Sequence, residues 1–290
     1  MKIGYLGPNG TFSQQAVLFY QNTLAQDIVL LQYNNIAAAI EGVIKNEIEE
    51  CVVPLENSIE GTVTSTIDLL IFTPELYIKG EIIIPVWEDF LVKQSYNGES
   101  ITKILSHPQA LSQCTNFLRK YFPNVPLQAT NSTAEAAKIV SESTEIMASL
   151  SPKQSAAVYN LKALYKGVQD DDQNKTRFVV VSKQKPKQQA KGKKTSIVFA
   201  TGHKPGDLYR VLDIISIWDI NMTKIESRPM KHHLGTYIFF VDLETEVQED
   251  LDAALKMIAR KTTYFKFLGS YPILPDGKKE EGKNGTCKKT

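Results

Sequence analysis

The first 182 residues repeat a short apolar run followed by a segment with helical spacing, and this alternation limits the fold more than any other feature. "KIGYLG", "IVLLQY" and "CVVP" read as strands, separated by the helical stretches "TFSQQAVLFY" and "NIAAAIEGVIKN". The pattern resumes with the strand "ITKILS", the helix "PQALSQCTNFLRKYF", a strand near "LQA", the helix "TAEAAKIVSES" and the strand "EIMASL". Strands alternating with helices of this length predict parallel α/β layers. Between the two series runs "LYIKGEIIIPVWEDFLVK", long, β-rich and interrupted by Pro85. It reads as a crossover between two α/β lobes, the second spanning roughly 80–150. The chain then returns through "ALYKGVQDDDQNKTRFVVV" to the first lobe. In that return, Val179, Val180 and Val181 form a β-branched run suited to a strand covered on both faces. Asn174, Thr176 and Arg177 stand at its leading edge.

After residue 182 the character changes. Residues 183–194, "KQKPKQQAKGKK", hold six lysines and almost nothing apolar, the composition of a solvated linker. Residues 195–274 read strand, helix, strand, strand, helix, strand, the βαββαβ order of a ferredoxin-like unit. Residues 275–290, "DGKKEEGKNGTCKKT" with the preceding proline, have the composition of a disordered tail.

Several loops of the first part place hydroxyls or amides where a helix begins. "GPNGTFSQQA" offers Thr11, Phe12 and Ser13. "SHPQALSQ" puts Pro108 at a first helical position with Ser106 or His107 as the cap, and "NSTAEAA" has Ser132 three before Glu135, a capping box. Helix starts present free N–H groups and partial positive charge, so they accept anions. No loop has the lysine of a triphosphate site or a GxGxxG, which points to a smaller anion such as a carboxylate. Gln109 and Gln113 share a helix face, and "VVPLENSIEGTV" ends a strand on Glu56 and Asn57.

Other candidates carry less. "DDDQN" at 170–174 lacks the glycine and the bidentate glutamate of a calcium loop. His232 and His233 are adjacent, without metal-site spacing. Cys51, Cys114 and Cys287 are widely spaced and odd in number, which fits free thiols and a cytoplasmic location. A net charge of +1 supplies no global field for nucleic acid or an anionic membrane, and no apolar run approaches the roughly 18 residues of a membrane span.

Taken in order, "GYLGPNGTFSQQA", "VVPLENSIEGTV", "SHPQALSQC", "NSTAEAA" and "NKTRFVVVS" resemble prephenate dehydratase, and "KPGDLYRVL" and "IESRP" resemble the two signature segments of a phenylalanine-binding ACT domain. The resemblance implies a catalytic domain at 1–182 with the two-lobed periplasmic-binding-protein-like fold and its site between lobes, followed by an ACT domain at 195–274. It implies a monofunctional enzyme converting prephenate to phenylpyruvate, water and carbon dioxide in L-phenylalanine biosynthesis, without cofactor or metal. By the same resemblance, Glu56, Asn57, Ser106, Gln113 and Thr176 are catalytic. Arg177, Phe178, Thr11, Phe12 and Ser13 bind substrate, with Arg177 gripping a carboxylate and Thr176 assisting departure of the hydroxyl. Gly206, Asp207, Leu208, Glu226, Ser227, Arg228 and Pro229 are implied to hold L-phenylalanine between ACT domains of a homodimer or homotetramer. Asp207, Leu208 and Tyr209 stand where the family usually has Ala-Leu-Val. The rival readings are arogenate dehydratase, a non-catalytic aromatic-acid sensor, and an ACT domain that only assembles subunits.

Overall fold

The computed structural model describes residues 1–185, 194–202, 204–230 and 236–274. The chain begins β1 (Lys2–Leu6), α1 (Phe12–Asn22), β2 (Val29–Tyr33), α2 (Ile36–Ile44), β3 (Glu50–Asn57), β4 (Gly61–Thr62), α3 (Thr64–Phe72) and β5 (Tyr77–Pro85). It continues β6 (Asp89–Lys93), β7 (Lys103–Ser106), α4 (Pro108–Gln113), α5 (Thr115–Tyr121), β8 (Leu127–Ala129), α6 (Thr133–Glu142), β9 (Met147–Ser151), α7 (Lys153–Val158) and β10 (Leu161–Tyr165). Then come β11 (Lys175–Ser182), β12 (Lys194–Ala200), α8 (Asp207–Ile217), β13 (Asn221–Pro229), β14 (Tyr237–Glu244), α9 (Gln248–Lys261), β15 (Tyr264–Tyr271) and β16 (Ile273–Leu274).

These strands build three sheets. The first has the order β16-β5-β11-β3-β1-β2 with β4 beside β3, the second β10-β6-β9-β7-β8, and the third β13-β14-β12-β15. The chain leaves the first sheet after β5, builds the whole second sheet, and returns as β11 between β3 and β5. Two crossings of this kind make the two-lobed, periplasmic-binding-protein-like arrangement, with a cleft where they meet. The second sheet draws its strands from 89 to 165, so its lobe starts later and extends further than the 80–150 expected. The third sheet is antiparallel with α8 and α9 packed on one face, the ferredoxin-like order.

Three local features differ from the sequence reading. The helix expected through "PQALSQCTNFLRKYF" breaks at Cys114, whose φ of −118° and ψ of 22° end α4 and start α5. Asp170 causes the break: its N–H donates to the Gln113 carbonyl at 2.7 Å, and its carboxylate accepts from Asn116 N at 3.1 Å, capping α5. After β15 the chain rejoins the first sheet, where β16 pairs parallel to β5, so Ile273 and Leu274 belong to the large sheet and not the small one. Finally, "TSTIDLLIF" forms α3, buried through Ile67, Leu70 and Ile71.

Strand β11 is covered on both faces, which accounts for its valines. Phe178 and Val180 join the core under α1 with Ile3, Tyr5 and Val17. Val179 and Val181 join a core that also holds Val198, Phe240, Leu268 and Tyr271 of the small sheet. The free face of the ferredoxin-like sheet therefore closes directly on the back of the large sheet. The Lys-rich segment at 186–193, His232, His233 and the tail from 275 lie outside the described residues.

Candidate active site

Between the lobes lies a cavity of about 230 Å³, lined among others by Thr11, Phe12, Ser13, Asn57, Glu88, His107, Gln109, Gln113, Ser132 and Thr176. That volume suits a small polar molecule and excludes a nucleotide. Two helices of the first and second lobes start at its edge. Thr11 caps α1, accepting from Gln14 N at 3.3 Å, and Ser132 caps α6, accepting from Glu135 N at 3.0 Å. His107 Nδ1 accepts from Gln109 N at 3.3 Å at the start of α4, so His107 and not Ser106 is that cap. No lysine or arginine lines the cavity among the described residues. The favourable field for an anion comes instead from the N-terminal N–H groups of α1 and α6.

A chain of hydrogen bonds fixes which way the cleft's polar groups point. Asn57 Oδ1 accepts from Ile59 N at 3.0 Å and Glu60 N at 3.1 Å, which turns its amide nitrogen toward β11. That nitrogen donates to Thr176 Oγ1 at 3.0 Å and to Asn174 Oδ1 at 2.8 Å. Asn174 Nδ2 in turn donates to Gln113 Oε1 at 2.9 Å. Because Thr176 Oγ1 accepts a hydrogen bond from Asn57, its own O–H is available to donate elsewhere. Gln113 Nε2 is buried and has no partner among the described residues. Two neutral donors are thus held ready by acceptors already filled from behind. The break at Cys114 matters here, because it ends α4 on Gln113.

Asn174 was noted at the strand edge but given no role in the sequence reading; 1% exposed, it links Asn57 to Gln113. Glu88 was missed altogether. It is 2% exposed, its Oε2 has no hydrogen-bond partner among the described residues, and burial, reinforced by the charge of Asp89, pushes its carboxyl up to about 8. The available signal was a carboxylate pair inside the apolar run "IIIPVWEDFLV".

Several expected site residues stand elsewhere. Side chains alternate along a strand, so Thr176 and Asn57 face the cleft while their neighbours Arg177 and Glu56, paired across β11 and β3, face the ferredoxin-like unit. Arg177 Nη1 lies 2.5 Å from Asp242 Oδ2, Nη2 donates to the Tyr271 hydroxyl at 3.1 Å, and Nε lies 2.6 Å from Glu81 Oε2, an ion pair without hydrogen-bond alignment. Glu56 accepts from Lys224 Nζ at 2.7 Å and lies 3.6 Å from Arg177. Neither residue lines the cavity. The expectation that Arg177 grips a substrate carboxylate is corrected accordingly: its fork is filled by carboxylates of the chain itself. Ser106 is fully buried and donates to Leu150 O at 2.6 Å, and Phe178 is core under α1.

The expected effector residues divide. Gly206, Asp207 and Leu208 line an open cavity of about 550 Å³ at the start of α8, with Thr201, Tyr237 and Phe239. Gly206 has φ of +82°, a conformation that favours glycine. The Asp207 carboxylate is turned to Arg210 at 2.6 Å. On β13, Glu226 accepts from Thr62 Oγ1 at 3.1 Å and Arg228 forks onto Asp68 at 2.8 and 3.1 Å, both reaching toward the large domain, while Ser227 and Pro229 are exposed. None of these four lines that cavity.

Comparison with known proteins bears on what this cleft does. The family model described as prephenate dehydratase matches residues 3–186. Prephenate dehydratase of Methanocaldococcus jannaschii is 40% identical over 272 residues, covering 93% of this chain and 97% of that one. The crystal structure of prephenate dehydratase from Arthrobacter aurescens in complex with L-Phe matches with a TM-score of 0.84 at 28% identity, over 94% of this chain and 90% of that chain. The structure of GqqA, described as a novel type of quorum quenching acylase, matches with a TM-score of 0.83 at 25% identity, over 95% and 99%. With a family model covering well over half its length and a relative at that identity over nearly all of it, the chain belongs to the prephenate dehydratase family.

Proposed function

We propose that this chain catalyses the decarboxylating dehydration of prephenate to phenylpyruvate, as a cytoplasmic enzyme of L-phenylalanine biosynthesis that L-phenylalanine inhibits. The observation that carries the reading is the network in which Asn57 donates to both Thr176 and Asn174 and Asn174 donates to Gln113, which aims a hydroxyl and an amide into a cleft that no lysine or arginine lines among the described residues. Prephenate has two carboxylates and a doubly allylic alcohol. The ring carboxylate must lose its charge as carbon dioxide leaves, so a cation bound to it would stabilise the ground state and oppose reaction. Neutral donors and helix starts hold the dianion without that penalty. Thr176 donates to the departing hydroxyl, a contact that strengthens as negative charge grows on oxygen.

L-phenylalanine acts through the ferredoxin-like unit, read as an ACT domain. Its supports are the cavity at Gly206–Leu208 and the exposed apolar residues Tyr209, Ile217, Ile225 and Tyr237, which fit pairing with a second copy in a homodimer or homotetramer. Glu226, Ser227, Arg228 and Pro229 on the edge strand belong to that assembled site. An acylase reading has less support, because amide hydrolysis needs an activated nucleophile. Thr176 has an amide beside it in place of a base, and His107 Nδ1 is occupied as a helix cap.

The test is direct. The purified chain is incubated with prephenate at neutral pH and phenylpyruvate absorbance is followed with and without L-phenylalanine. Parallel arms offer arogenate and an N-acyl amide. Turnover of prephenate that L-phenylalanine suppresses is expected; preferential turnover of arogenate or of the amide, or none at all, overturns the reading.

A further inference from the structure

The reaction in this cleft consumes a proton: prephenate dianion and one proton give phenylpyruvate monoanion, carbon dioxide and water. The hydroxyl and amides of the relay polarise the departing oxygen, but at neutral pH none of them can surrender a proton. We propose that Glu88 is the acid of this site, a protonated carboxyl on the cleft wall that delivers its proton to the departing hydroxyl; the inference rests on the dehydratase reading above.

Geometry places the group. Glu88 lines the same cavity as Thr176, Gln113 and His107. Its backbone is pinned on both sides, with its N–H donating to Gln169 Oε1 at 3.1 Å and its carbonyl accepting from Val168 N at 2.8 Å. Glu88 Oε2 is buried and unpartnered among the described residues, whereas the adjacent Asp89 carboxylate accepts from Gly167 N at 2.9 Å. Two consecutive carboxyls therefore have different tasks: Asp89 holds a loop, and Glu88 faces the cleft.

Burial, with the Asp89 charge behind it, keeps this carboxyl protonated. Desolvation acts first and the Asp89 charge second. From the two caps of α4 come His107, on the cavity wall, and the Cys114 thiol, whose own ionisation the Glu88 charge opposes. From the returning loop come Asp170, which acts on the same thiol, and Asp172, bound to Gln169. Lys153 and Lys166 act on Asp89. A bound dianion adds further negative charge and favours the protonated acid still more.

The step balances. The bond from the ring to the carboxylate carbon breaks and releases carbon dioxide, and its electron pair moves into the ring as the aromatic π system forms. The bond to the hydroxyl oxygen breaks, and that oxygen takes the Glu88 proton to leave as water. Glu88 is left as carboxylate and regains a proton from solvent once products depart.

The test compares wild type with Glu88→Gln, which keeps the shape and a donor but carries no acid, across pH 6–9.5. Wild-type kcat should fall with an apparent pKa near or above about 8. In Glu88→Gln, kcat at pH 6.5 should drop by ~10²–10⁴-fold, the usual worth of a positioned acid, with KM changed only a few-fold and the alkaline limb gone. In His107→Gln the limb should remain. Carboxyl titration by isotope-edited infrared spectroscopy, without substrate, should find one carboxyl protonated at pH 7 that is missing in Glu88→Gln. The proposal is overturned by a folded Glu88→Gln enzyme within threefold of wild-type kcat, by an alkaline limb that disappears with His107 instead, or by ionisation of Glu88 near pH 4–5. A wild-type chain inert toward prephenate overturns the dehydratase reading instead, and the infrared titration still reports on Glu88 by itself.

Discussion

Arg177 Nη1 lies 2.5 Å from Asp242 Oδ2, so the residue next to Thr176 in the chain is bound to a central strand of the ferredoxin-like sheet. Around this contact, Glu81 also takes Lys194 at 3.0 Å, and Lys224 and Glu56 join at 2.7 Å. Strand β11 is thereby anchored to the small unit by buried charges on one face while it presents Thr176 to the cleft on the other.

The first prediction follows from that anchoring. Asp242→Asn leaves Arg177 without its closest carboxylate, and breaking a buried pair costs about 3 kcal/mol. Urea unfolding should reveal that loss, and inhibition by L-phenylalanine should weaken, with KM for prephenate changed little. Arg177→Lys cannot reproduce the fork that reaches Asp242, Tyr271 and Glu81 together, and should behave alike. A large rise in KM at normal stability would return the guanidinium to the substrate.

For Thr176 the expectation is a change in turnover. Thr176→Val keeps the shape and removes the hydroxyl, so kcat should fall by ~10²-fold or more, with KM little altered. Thr176→Ser should retain most of the rate, because Asn57 can still donate to the serine oxygen. If valine were tolerated, the relay from Asn57 would have no function in the chemistry.

The third prediction concerns the small unit as support. By sequence alone, removal of residues 184–290 should leave a less stable chain that still makes phenylpyruvate and no longer responds to L-phenylalanine. The packing gives another expectation. Deletion uncovers Val179, Val181 and α3, strips Glu81 and Arg177 of Lys194, Asp242 and Tyr271, and removes β16 from the edge of β5. An exposed apolar face with buried charges stranded beside it should aggregate. Size-exclusion chromatography of the truncated chain checks this, and a soluble, active monomer would contradict it.

How far the sequence reached depends on which physical signal was local. The valines of β11 were legible because a strand covered on both faces needs apolar residues at consecutive positions. Thr176 and Arg177 were equally visible, yet which of them meets the cleft depends on which side of the sheet the second lobe and the small unit occupy, and that is a tertiary fact. Period-two alternation warned that they could not both do so. The break at Cys114 was hidden because Asp170, far along the chain, makes it. Glu88 sits in no motif; burial of its carboxyl, reinforced by the Asp89 charge, turns it into an unusual acid.

The last prediction is thermodynamic and independent of substrate. Burial raises the Glu88 carboxyl from 4.5 to about 8 in the folded chain. Between those values the folded state holds a proton that the unfolded state has released, so the unfolding free energy declines as pH rises. The decline begins near pH 4.5 and levels off above about 8, and across that window the group's contribution amounts to at most about 5 kcal/mol. Glu88→Gln has no proton to lose and should remove this component. Urea unfolding of both proteins at pH 5, 6.5 and 8.5 should therefore show the stability difference moving in favour of the glutamine variant as pH increases. A difference that stays constant across the three pH values would mean that Glu88 ionises alike in both states, and that the cleft holds an ordinary carboxylate.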